Sequence, residues 1–159
     1  MKKKSVKIPQ KSMSVTSSKS VFYDNDFVKW ADKQALLLKN RDFSHLDIEN
    51  LIEEIEALSK RDRRALKKQL IRLMMHLLKL DYQKRDTPPT SWMRSISGAR
   101  TEIILIIDDS PSLQREVKDM IDAYYSYAVS QASKETGMEK KVFPKICPWT
   151  IKKLLSDRE

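Results

Sequence analysis

The sequence predicts an all-α fold, a compact bundle of five or six helices behind a disordered basic N-terminal tail. Three observations carry this. From Asp24 onward apolar residues recur at three- and four-residue steps. No alternating apolar/polar run persists long enough for a sheet. Only two glycines occur in 159 residues, too few for Walker-type phosphate loops or dinucleotide-binding turns, which need several at fixed spacing. A single cysteine excludes an internal disulfide framework and a cysteine-rich zinc module. The longest apolar run, Ile103–Ile107, has five residues, against the ~20 that cross a membrane. The expectation is a cytoplasmic protein with no membrane partner.

The charge is unevenly placed. Residues 1–20 hold six lysines, no acid, six serines and no aromatic residue, and so supply +6 of the +9 net charge. Such a segment buries too little apolar surface to offset its ordering entropy and reads as a disordered tail. It has no apolar run of the secretory type. It can attract a polyanion or simply aid solubility. Residues 21–159 then form a single helical domain that is not strongly basic.

Taken in order, Phe27, Trp30, Ala31, Ala35 and Leu38 mark one helix over residues 24–39, broken by Asn40-Arg41-Asp42. Asp47 is placed to cap the next helix, whose apolar stripe is Ile48, Leu51, Ile52, Ile55 and Leu58. Ser59-Lys60-Arg61-Asp62 resembles a capping box and predicts a restart or bend at Ser59, with an unbroken helix over 47–83 as the alternative. Leu66, Leu70, Leu73, Leu77 and Leu80 give the following segment its core face, and Pro88-Pro89 ends it. Thr90 is expected to cap a helix burying Trp92, Ile96, Ala99, Ile103 and Ile107. Ser110-Pro111 then reads as a capping hydroxyl followed by proline at the first helical position. Leu113, Val117, Met120, Tyr124 and Ala128 continue that helix until Gly137, which can take the left-handed conformation. A loop with Phe143-Pro144 and a short last helix after Cys147-Pro148 complete the chain. There is no internal repeat.

Several short blocks occur in a characteristic order: Tyr23-x-x-Asp26-Phe27-x-x-Trp30, Leu51-Ile52-Glu53-Glu54-Ile55-Glu56, His76-Leu77-Leu78-Lys79, Ser91-Trp92, Ser110-Pro111-Ser112-Leu113, Glu135-Thr136-Gly137, Phe143-Pro144 and Cys147-Pro148-Trp149. In this order they resemble the bacterial domain-of-unknown-function family number twenty-nine, over residues 23–157. The resemblance implies a small all-helical bacterial protein and supplies no activity and no catalytic residues.

Candidate sites therefore rest on chemistry alone. At 100° per residue, Arg61, Arg64, Lys68, Arg72, His76 and Lys79 fall on one arc of the third helical segment, opposite the leucines, over roughly 27 Å. Arg61, Arg64, Lys68 and Arg72 are the candidate contacts to a nucleic-acid backbone or a partner. The same row can be a solvated face, or one neutralised by Glu49, Glu53 and Glu56 if the preceding segment folds back antiparallel. No aromatic residue is interleaved with these cations in the sequence, which counts against single-strand binding.

Arg72, His76 and Lys79 are the catalytic candidates. A neutral imidazole can take a proton from a ribose hydroxyl while cations stabilise the charge on phosphorus, without metal. Helical ribonucleases of the HEPN type use an Arg and a His in this way, with more residues between them than the three found here. Glu53 and Glu54 are secondary candidates. Glu54 sits at the edge of the apolar stripe and is expected to pair with Arg100 or Lys79 across the bundle. With two histidines and one cysteine, no metal site and no cofactor are expected. Cys147 and the tryptophans read as core or loop anchors.

The function these features favour is a non-enzymatic regulatory or interaction module, antitoxin-like, binding a protein partner or nucleic acid through the basic helix face, with homo-oligomerisation open. The alternative is a metal-independent ribonuclease using Arg72 and His76.

Overall fold

The computed structural model describes residues 21–84 and 87–156, so the tail expected over residues 1–20 lies outside them. Among the described residues six α-helices follow one another: α1 (Val21–Asn25), α2 (Phe27–Lys39), α3 (Ile48–Tyr82), α4 (Thr90–Asp109), α5 (Val117–Thr136) and α6 (Ile151–Leu155). Short 3-10 turns occupy Phe43–His45, Pro111–Glu116 and Lys140–Val142. Among the described residues there is no strand, and no helix is long and apolar enough to cross a membrane. The all-α class is as the periodicity predicts. By backbone contacts the chain divides into a unit ending at Ile55 and a second beginning at Glu56.

In the first unit the expected 24–39 helix is two helices. The Asp26 carboxylate accepts from the Lys29 amide at 3.1 Å, so Asp26 leaves helical geometry and starts α2 afresh. After α2, Arg41 takes a left-handed φ of 57° and the Asp42 amide reaches back to the Leu37 carbonyl at 2.9 Å, reversing the chain. Asp47 then caps α3 as predicted, through the Asn50 amide at 3.4 Å. The same carboxylate accepts from the Trp30 indole at 3.1 Å and the Asn50 side chain at 2.8 Å. The Asp47 amide itself donates to Gln34 at 2.9 Å. Among the described residues of this unit the buried ones are Trp30, Gln34 and Asn50, a hydrogen-bonded polar network around one indole.

The restart expected at Ser59 is absent. α3 runs unbroken for 35 residues, because the chemistry of the apparent capping box is spent otherwise. Ser59 Oγ accepts from the Arg63 guanidinium one turn on, and Lys60 pairs with Glu56 at 2.7 Å.

The second unit holds a dry core. Leu66, Leu70, Leu73, Met74, Leu77 and Leu78 of α3 are buried, and Leu80 is partly buried. They pack with Ile96, Ala99 and Ile103 of α4 and with Val117, Ile121 and Ala128 of α5. Two expected caps differ. Pro89, not Thr90, occupies the cap position of α4. Ser110 makes no side-chain cap bond, and Pro111 opens six residues of 3-10 helix before α5 begins. Gly137 ends α5 at φ 73°, as predicted.

Candidate functional site

α3 buries its leucines on one side and so turns its cations outward. Arg61, Arg64, Lys68 and Arg72 are all exposed. Among the described residues Arg61 pairs with its neighbour Asp62 alone, at 3.5 Å, and Arg72 approaches Ser95 of α4 at 3.4 Å. Arg64 and Lys68 have no hydrogen-bond or ion-pair partner among the described residues. Neutralisation by Glu49, Glu53 and Glu56 on an antiparallel neighbour does not occur: these acids lie upstream on the same unbroken helix and cannot fold back along it.

Lys79 separates from that row. It is 5% exposed, with its ammonium 2.6 Å from Glu135 of α5 and 4.4 Å above the Trp92 ring centre. The charge is thus bound twice over, by a carboxylate and by an aromatic face. His76 is half-buried, and its Nδ1 is shielded from solvent without a hydrogen-bond partner among the described residues. Burial, then Lys79 and Arg72, hold its pKa below the ordinary histidine value, with Glu135 opposing. These causes favour the neutral ring. The Lys79 and Arg72 charges thus both reach the His76 ring.

Glu53 and Glu54 belong to the first unit. Glu54 makes neither of the expected pairings. It accepts the Tyr23 hydroxyl at 2.6 Å, which pushes the Tyr23 phenol up to about 12. Lys79 is held by Glu135, and the buried Arg100 donates to the Leu154 carbonyl at 2.8 Å. Cys147 is partly buried, 3.7 Å from the Trp149 carbonyl, and burial pushes its thiol up. This suits an anchor, because a nucleophilic thiol needs the opposite shift.

Two features were not anticipated. The first is aromatic. α5 brings Tyr124 and Tyr127 beside α3, where with Lys67, Lys68 and Ile71 they line an open groove of about 370 Å³. The Lys67 ammonium lies 5.0 Å from the Tyr124 ring centre. The signal was in Tyr124-Tyr125-Ser126-Tyr127: Tyr125 points into the core, so the residues flanking it face the other way. Tyr124 itself is partly buried.

The second feature is an apolar surface. Phe27 and Leu38 of α2 and Ile48, Ile52, Ile55 and Leu58 of α3, apolar positions read from the periodicity, are exposed, as are Val28 and Leu36. Val28 and Ile55 reach 70% and 65% exposure. Among the described residues no group of three or more His, Cys, Asp or Glu side chains is placed to hold a metal ion.

Neither the curated proteins nor the solved structures hold a match to the chain. The family described as Domain of unknown function DUF29 matches residues 22–158, nearly all of the sequence and in agreement with the resemblance of its short blocks, and the chain belongs to that family.

Proposed function

We propose that the chain is a non-enzymatic interaction module whose N-terminal unit docks a protein partner. The observation that carries this reading is the bare apolar surface of α2 and the start of α3, on a unit whose described interior buries one large apolar side chain, Trp30. Exposed apolar patches of this kind are costly in water and mark surfaces that are covered in use. Two contacts tie this unit together, Tyr23 of α1 to Glu54 of α3 and Trp30 of α2 to Asp47, the residue before α3. Exposed Glu53 and Glu56 border the isoleucines, so the partner that fits presents an apolar helix with basic flanks. An antitoxin-like regulatory action is the form this takes: the module occupies a surface of its partner and performs no chemistry.

A photo-crosslinking residue at position 52 in the native host, with and without Ile48→Asp and Ile55→Asp, tests it. The unaltered stripe should capture a discrete partner and the aspartates should abolish capture without lowering Tm. Capture that survives the aspartates overturns the reading, and a partner that proves to be the same chain assigns the face to homo-oligomerisation.

One observation favours a second reading as a metal-independent ribonuclease. Burial and the charges of Lys79 and Arg72 favour the neutral form of His76, the form a general base needs. Incubating total RNA with the protein and with His76→Ala decides it: cleavage lost in the variant supports the enzyme, and equal cleavage ends it.

A further inference from the structure

We propose that the groove between α3 and α5 binds single-stranded nucleic acid, with a base stacked on Tyr127 and phosphates on Arg64 and Lys68. This surface lies wholly in the second unit and is independent of the apolar face of the first.

Arg64 and Lys68 are exposed and have no counter-charge among the described residues, although the chain elsewhere pairs its surface cations readily, Arg63 with Glu116 at 2.9 Å and Lys118 with Asp122 at 2.8 Å. Arg64, Lys68 and Arg72 succeed one another at one-turn intervals, about 6 Å along the helix, so the row presents a line of sites for successive phosphates, not a point charge.

The second component is the aromatic one. Tyr127 is 52% exposed although an aromatic ring is among the costlier groups to leave in water. It stands in the same groove as Lys68, and Tyr124 beside it already holds the Lys67 ammonium against its ring. Ile71 closes the floor with an apolar side chain. Cations tracking a backbone beside rings that offer stacking faces is the arrangement by which single strands are held without reading their sequence. A duplex keeps its bases stacked on one another and offers these tyrosines nothing, so the geometry favours the unpaired strand. A peptide ligand would leave Arg64 and Lys68 without the acid they lack unless it were itself acidic. Ribose and deoxyribose strands share the recognised chemistry, and the test separates them.

The experiment is fluorescence anisotropy of the full chain with a twelve-nucleotide oligo-uridine, the matching oligo-deoxythymidine, a duplex of equal length and an acidic peptide, across about 50 to 200 mM salt. The lysine-rich residues 1–20 are present in every variant, so differences report the groove. Single strands should bind more tightly than the duplex and the peptide, with affinity falling as salt rises. Tyr127→Ala should weaken the single strand about tenfold, while Tyr127→Phe keeps the ring and the affinity. Lys68→Gln should lower the magnitude of the salt slope by about 0.7, the share of one phosphate contact. Tighter ribose than deoxyribose binding assigns the strand as RNA, and equal binding assigns either strand. Duplex binding equal to single strand together with an inert Tyr127→Ala, preference for the peptide, or no binding at the lowest salt overturns the proposal.

Discussion

The two units of this chain use similar amphipathic helices to opposite ends. In the second, α3, α4 and α5 lay their stripes against one another, and Leu66, Leu73 and Leu78 are wholly shielded. Each such side chain contributes on the order of 1.5–3 kcal/mol through burial. In the first, α2 and the start of α3 meet through Trp30, Gln34, Asp47 and Asn50, contacts worth about 0.5–1.5 kcal/mol each, while the isoleucines stay in water. The comparison teaches that an apolar stripe states only a demand for cover. Whether it becomes core or binding surface depends on what else the chain places against it.

The largest expected effect is on the covered side. Leu73→Ala should cost about 2–5 kcal/mol by chemical denaturation, whereas Ile52→Ala, a change of similar size on the bare side, should stay within about 0.5 kcal/mol. Equal losses would mean that the first unit is packed like the second. Asp47→Ala comes next: it removes the α3 cap and leaves the Trp30 indole without its acceptor, so about 1–3 kcal/mol of local stability should vanish. Hydrogen exchange at α2 amides should accelerate while α5 amides stay protected, and acceleration in both would merge the two regions.

A smaller effect concerns pH. The folded-state pKa of His76 is lowered, so as pH falls below its ordinary 6.5 the unfolded chain takes up a proton that the folded chain resists. Stability should decline from that point down to the folded value, and then level. His76→Gln should remove this part of the slope, measured as Tm at about pH 7.5 and about pH 5.5; an unchanged slope refutes the assignment. The smallest effect is spectroscopic. Tyr23 should ionise late, near 12, because Glu54 accepts its hydroxyl. Glu54→Gln should return it toward 10, read by ultraviolet titration against Tyr23→Phe.

Much of the second unit was legible in the sequence. Leucines once per turn could only be the inner face of α3, Gly137 could end a helix as few other residues can, and Pro111 could only begin one. The misreadings share one cause, a local signal with two physical outlets. Ser59 can cap a helix or take a hydrogen bond from Arg63 within one, and the long-range pair Arg63–Glu116 ties that side chain to a residue 53 positions away. Glu54 can seek a cation or a phenol, and only the chain reversal at Arg41 brings Tyr23 within reach. The cationic row on α3 was legible as a pattern. Its tyrosines were not, because they arrive from α5 and no spacing within α3 announces them. The bare stripes were legible as stripes, but not as bare, since periodicity is blind to the absence of a neighbour.

The three tryptophans have a practical consequence. Trp30 donates to Asp47 in the first unit, whereas in the second Trp149 donates to Asp81 at 3.2 Å and Trp92 lies beneath Lys79. Each indole thus sits against its own ionised group. Trp30→Phe silences one unit and the paired Trp92→Phe, Trp149→Phe silences the other. Intrinsic emission can therefore follow the melting of each half, or the arrival of a ligand at it, in an unlabelled sample.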